Sequence, residues 1–263
     1  MNVKAIILAA GSGTRLKKYT EELPKGMLPV FGKSIIKYQI EAYRRNGVND
    51  ISIVSGFCHE KINFPGTKSY HNPDYATTNM VESLFCAAQE ISGDLIISYA
   101  DILFEDSLLH AVIHNTSNIG VVVDSDWKDY WLARYDKVDF DTESLSLAAD
   151  GTIKELGTEN PPLNTIDGRY VGMLRVSPRG AEMIKESYDT NKKIYSGKEW
   201  IGGRLFEKMY MTDFLQNLID SGHAVFPINT NRGWLEFDTN QDYERVLEWE
   251  ESNTLHRFYK RPK

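Results

Sequence analysis

Residues 6–30 read IILAAGSGTRLKKYTEELPKGMLPV, and the fold turns on them. The apolar run Val3 to Leu8 suits a buried strand. It leads straight into Ala9-Ala10-Gly11-Ser12-Gly13-Thr14-Arg15. Two glycines and small neighbours let a backbone bend sharply there and turn its N–H groups toward an anion. Lys25 follows, held between Pro24 and Gly26. A strand, a glycine-rich loop and two spaced cations make a grip for a polyphosphate. Two other phosphate motifs fail. The dinucleotide fingerprint lacks its third glycine, because Leu16 stands there. The P-loop spacing is one residue too long between Gly26 and Gly32-Lys33-Ser34, and Pro29 lies inside it.

Composition sets the frame. A chain of 263 residues can bury a real core within one domain. Cys58 and Cys86 make no disulfide framework, which fits a reducing, cytoplasmic setting. No signal peptide is read, since the N-terminal apolar run is short and ends in glycines, and no membrane span is expected. The net charge of −7 argues against nucleic-acid binding. Its distribution says more. Residues 1–45 carry nine Lys/Arg against three Asp/Glu, and the remainder carries 21 against 34. A basic segment in an acidic protein suits a local anion site.

Further along, Ser34 to Asn46 reads as a helix capped by Ser34 and ended by Gly47, and Ile51 to Ser55 as a second strand. Strand, loop, helix and strand form a βαβ unit, and such sheets bind ligands beyond the carboxyl ends of their strands. Thr78 or Asn79 can cap a helix running to about Ile91. Asn72, Asn79 and Ser83 read either as capping groups or as contacts to a nucleotide base or sugar. A strand Asp94 to Ser98 runs into Tyr99-Ala100-Asp101. A carboxylate at that edge suits Mg²⁺, which takes one or two carboxylates plus substrate phosphates. A strand Gly120 to Val123 ends at Asp124, with Trp127, Tyr130, Trp131 and Arg134 close behind. That run reads as an acceptor pocket, with aromatic faces for an ammonium and Arg134 for a phosphate, or as a stacked surface hairpin. Around Asp150-Gly151 two alternating runs signal a hairpin. With the strand Arg169 to Val176 it forms an antiparallel insertion beside the main sheet. A helix Ser177 to Tyr188 follows, and the polar residues 189–203 suit a lid. The acidic last helix, Asn240 to Glu251, suits a solvated end or a contact in a homodimer.

L-A-A-G-x-G-T-R-L followed by P-K-x-x-x-P-V resembles the signature of nucleotidyltransferases that activate small phosphates. These are the sugar-1-phosphate nucleotidylyltransferases and the bacterial choline-phosphate cytidylyltransferases. The sequence departs from their commonest form at Lys17-Lys18-Tyr19, where Arg-Pro-Leu is frequent. The resemblance implies an α/β, Rossmann-like three-layer fold with a mixed, mostly parallel sheet. It implies one nucleotidyltransferase domain over 1–263, with an acceptor-site insertion and lid at about 144–204. The nucleotide would meet Leu8, Ala9, Ala10, Gly11, Ser12, Gly13, Thr14, Arg15, Lys25, Asn79, Ser83 and Ala100, with Arg15 and Lys25 catalytic. W-x-E-F-D-T at 234–239 is similar to the family segment whose Asp completes the metal site, so Asp101 and Asp238 would hold Mg²⁺. Asp124, Trp127 and Arg134 would meet the acceptor. The segment Tyr75 to Ser83 looks like the cytidylyltransferases, which implies CTP. Asp124-x-x-Trp127 with Arg134, then Ile166 to Gly172, is closer to cytidylyltransferases of phosphonate and related phosphorus metabolism, which implies a phosphonate or phosphate such as 2-aminoethyl- or 2-hydroxyethylphosphonate. Phosphocholine, a sugar 1-phosphate and a regulatory nucleotide-binding module without chemistry are the alternatives.

Overall fold

The computed structural model describes residues 3–262. The strand Lys4–Ala9 lies inside a seven-stranded sheet, paired in parallel with Asp50–Ser55 on one side and Leu95–Tyr99 on the other. Across the sheet the order is Phe226–Thr230, Ile119–Asp124, Arg169–Val176, Leu95–Tyr99, Lys4–Ala9, Asp50–Ser55 and Lys68–His71. Arg169–Val176 runs antiparallel to both of its neighbours. The other strand pairs in this sheet are parallel.

Alternation along one strand shows why both faces are covered. Ala5, Ile7 and Ala9 enter one apolar cluster, and Ile6 and Leu8 enter the other. Burial on both faces accounts for the unbroken apolar runs of the sequence. The first cluster takes side chains from the helices Ile35–Arg45, Asp106–His114, Trp127–Tyr135 and Asn240–Glu251. The second takes them from Met80–Phe85, Pro178–Tyr195 and Met211–Asp220. This is the three-layer, mostly parallel α/β arrangement expected above. Local signals act where they were read. Ser34 accepts from the Lys37 N–H at 3.3 Å, and Gly47, at a φ of 81°, turns the chain after the helix. At Lys17-Lys18-Tyr19 the departure from the family pattern has a structural use. Lys18 and Tyr19 both donate to Glu244 of the last helix, at 2.6 and 2.8 Å.

Three expectations need correction. The strand Arg169–Val176 is no part of an insertion beside the sheet but is built into it, so only the hairpin Glu143–Leu147/Ile153–Glu159 stands outside. Residues 189–195 are not loop, because the helix begun at Pro178 continues to Tyr195. The turn after it is tied down, with Glu207 accepting from the Ser196 hydroxyl and the Gly197 N–H at 2.9 Å each. The helix after Asn79 ends at Phe85, and the chain reaches Ile91 through a separate short turn, Ala88–Glu90. Among the described residues no helix is long and apolar enough to cross a membrane.

Candidate active site

The parallel strands end at one rim, and the glycine loop leaves it after Ala9. Gly13 takes a left-handed conformation, φ 63°, and its carbonyl accepts from Leu16 N–H at 2.9 Å and the Thr20 hydroxyl at 2.8 Å. A β-carbon on Gly13 would lie 3.3 Å from that of Lys25, whereas one on Gly11 would meet nothing within 4 Å. The loop therefore packs against the lysine turn at one glycine and leaves its backbone open at the other.

Lys25 is set by equally close packing. A β-carbon on Gly26 would lie 2.7 Å from Ile36 and 2.9 Å from the β-carbon of Ala100. Gly26→Ala is expected to push the turn off Ala100, costing about 1–3 kcal/mol as overpacking does. Thermal denaturation beside a pyrophosphate-release assay checks it: both stability and turnover should drop.

Asp101 follows the strand Leu95–Tyr99, and Ala100 extends that strand's pairing by donating to the Leu8 carbonyl at 3.0 Å. Asp238, far away in sequence, reaches the same place through a two-stranded ribbon. Trp234–Glu236 pairs antiparallel with Ile102–Phe104, and Phe237 N–H donates to the Asp101 carbonyl at 2.9 Å. The ammonium of Lys25 bridges the two acids, 2.8 Å from Asp101 Oδ2 and 2.7 Å from Asp238 Oδ1. Arg15 pairs with Asp238 as well and donates to Asp141 at 3.1 Å. Burial disfavours charge here, yet Lys25 and Arg15 hold the Asp238 carboxyl below its ordinary pKa. Burial likewise opposes the Lys25 charge, and the two acids raise its pKa regardless.

Neither acid is spent on capping. Thr239 caps the helix Asn240–Glu251, in a reciprocal pair with Asp242. The helix Asp106–His114 starts at Glu105 with no side-chain cap. Asp101 Oδ1 is buried without a hydrogen-bond partner. An acceptor oxygen left bare beside a second carboxylate fits a divalent cation that draws its other ligands from substrate phosphates and water. Among the described residues no three His, Cys, Asp or Glu gather into a ready-made metal cage.

These residues border a cleft of about 410 Å³, within the ordinary range for a small-molecule site. Every residue that the resemblance assigns to the nucleotide or the metal lines it. Asn79 both lines it and caps its helix, accepting from Met80 N–H at 2.8 Å. Asn72 stays behind, buried, and donates to Ser83 and Thr78 at 2.9 Å each. Sequence reasoning missed Tyr99, which also lines the cleft; its place just before Ala100-Asp101 was the available signal.

A family model described as a MobA-like NTP transferase domain matches residues 5–156. The chain belongs to this family. A CTP:phosphoglutamine cytidylyltransferase of Campylobacter jejuni is 32% identical over 259 residues, covering 94% of this chain and all of that protein. A choline-phosphate cytidylyltransferase of Streptococcus pneumoniae is 36% identical over 118 residues, 43% of this chain and 52% of that one. The solved structure of a CTP:phosphocholine cytidylyltransferase from the same species superposes with a TM-score of 0.70 at 25% identity, covering 94% of this chain and 99% of that one.

On this NTP-transferase frame the acceptor residues require correction. Asp124, Trp127 and Arg134 are all buried and line no part of the cleft. Asp124 accepts from the Trp234 indole at 2.8 Å and from Asp126 N–H at 2.9 Å. Trp127 packs edge-on against Trp131. Arg134 forks onto Asp242 at 2.9 and 3.0 Å and meets Glu236 at 2.5 Å. The aromatic run is neither pocket nor hairpin but the helix Trp127–Tyr135. Positions 127, 130, 131, 134 and 135 form its buried stripe, the spacing of one helical face.

Proposed function

We propose that this chain transfers CMP from CTP to a small molecule bearing a phosphate or phosphonate, with release of pyrophosphate. One observation carries the reading: Lys25 bridges Asp101 and Asp238 beside a glycine loop at the rim of the sheet. Binding a nucleotide without reacting would not require the second carboxylate. The similarity along the whole of a cytidylyltransferase supports CTP as the donor.

In the reaction, an acceptor oxygen attacks the α-phosphorus. The bond to the bridging oxygen breaks, and pyrophosphate leaves with the electron pair. The attacking oxygen is already ionised, so no proton need be removed. The loop N–H groups and Arg15 hold the β- and γ-phosphates. Lys25 offsets charge growing on the α-phosphate. Catalysis is then positioning and electrostatic stabilisation. Asp101 and Asp238 would hold Mg²⁺, which supplies charge neutralisation at the triphosphate when bound.

For the acceptor, a phosphonate such as 2-aminoethyl- or 2-hydroxyethylphosphonate is the first reading. The end-to-end similarity to a phosphoglutamine enzyme favours phosphoglutamine as a second. Pyrophosphate release from CTP with these compounds, phosphocholine and a hexose 1-phosphate tests the assignment. Turnover is expected with a phosphonate or phosphoglutamine. Turnover confined to the hexose phosphate rejects the acceptor reading, and none with any acceptor rejects the transfer itself.

A further inference from the structure

The helix Trp127–Tyr135 is crowned by two guanidinium groups on one indole, and only one of them is satisfied. Arg134 lies 4.6 Å from the Trp131 ring and has its acids, Asp242 and Glu236. Arg169 lies 4.5 Å from the same ring. Its Nη1 is buried with no hydrogen-bond partner, and among the described residues no carboxylate comes within ion-pair distance of it. Leaving a buried donor bare costs about 1–3 kcal/mol, more when it is charged. A stacked guanidinium held flat keeps its fork in one plane, which is the geometry that oxyanions accept.

Topology places the start of this strand at the rim, although Arg169 is not among the residues that border the cleft itself. Because Arg169–Val176 runs antiparallel to its neighbours, its first residues lie where the parallel strands end. Arg169 pairs with Asp124, and Met173 with Ser98, three residues before Asp101. The neighbouring Tyr170 meets Tyr99 of the cleft ring-to-edge, with centroids 5.9 Å apart. A second orphan is close by. The Tyr135 hydroxyl is buried without a partner, in a ring that meets Trp131 at 5.9 Å. Electrostatics tie the group together. Arg134 meets Glu236, two residues before Asp238, and so joins the stacked guanidinium groups to the ribbon that delivers the second acid. Arg15 and Lys25 are already paired with acids that a triphosphate would displace. Arg169 faces the charges of Glu143 and Glu236, but among the described residues it has no ion pair to give up.

We infer that Arg169, propped on Trp131, is the residue that reads the acceptor, taking one of its oxyanion groups. This rests on the transferase reading above and adds to it a substrate requirement: the acceptor presents a carboxylate or phosphoryl group to the start of the strand Arg169–Val176. Arg169 is thus a specificity residue, and it has no part in holding CTP.

The test is direct binding. Protein saturated with α,β-methylene-CTP, which cannot react at that bridge, is titrated calorimetrically with 2-aminoethylphosphonate and with phosphoglutamine. The comparison is between wild type, Arg169→Gln and Arg169→Lys. Arg169→Gln should bind an acceptor at least about tenfold more weakly, as loss of a charge-assisted pair implies, with Arg169→Lys recovering part of it. Affinity for the CTP analogue should stay at the wild-type value, and the melting temperature should not fall. Weakening of both ligands assigns Arg169 to the phosphoryl group, and weakening of phosphoglutamine alone assigns it to the carboxylate. Unchanged acceptor binding in Arg169→Gln overturns this inference and leaves the transferase reading standing. So does weakening of acceptor and nucleotide together with a lowered melting temperature, the mark of a merely structural role. A wild type that binds neither compound overturns this inference together with the acceptor reading above.

Discussion

Lys25→Ala should release pyrophosphate from CTP about 10²–10³-fold more slowly than the wild type, the usual loss when one preorganised electrostatic donor is removed. The ammonium sits between the two acids proposed to hold the metal. Its removal takes away the group that offsets α-phosphate charge. The fold should persist at 25 °C, since Arg15 still pairs with Asp238. Stability should nevertheless change with pH in a set direction. Burial works against the Asp238 charge, but Lys25 and Arg15 keep its pKa below the ordinary value of about 3.9. A depressed carboxylate contributes stability that is fully present above that value and lost as pH falls through the lower folded one. The difference in melting temperature between wild type and variant should therefore be full at pH 7 and shrink toward pH 3. Wild-type pyrophosphate release by the variant would remove Lys25 from the chemistry.

Arg134→Met should act on the fold instead. The guanidinium is 1% exposed, and so is its partner Asp242. Removing one member of a buried pair leaves an uncompensated charge, at a cost of about 3–5 kcal/mol. For a chain of this size that lowers the melting temperature by on the order of 10 °C. Asp242 also accepts from the N–H groups of Asp238 and Thr239, at 3.0 and 2.8 Å, so turnover should fall along with stability. An unchanged melting temperature with a raised KM for the acceptor would return Arg134 to the substrate site.

The glycine loop was legible because its signal is local. Strand, bend and cations are adjacent in sequence, and each acts on its neighbours. Asp101 was legible because it stands just past an apolar run. Asp238 was named through family likeness, since the ribbon that delivers it pairs two three-residue strands too short to announce themselves. The aromatic run misled because residue type outweighed spacing: Trp and Arg suggest a ligand, yet their period placed all of them inward. The strand Arg169–Val176 was located correctly, but nothing in its own residues encodes the direction in which it joins a sheet. That direction alone puts Arg169 at the rim.

The ribbon Ile102–Phe104/Trp234–Glu236 also bears on how the protein is made. Ribosomes deliver a chain from its first residue onward, so the glycine loop, Lys25 and Asp101 emerge while Asp238 is still untranslated. A nascent chain could close its early strands around a nucleotide and still lack the second acid. The opposed pair exists only once synthesis has passed Asp238, and on this chemistry no copy that stops short of it spends CTP.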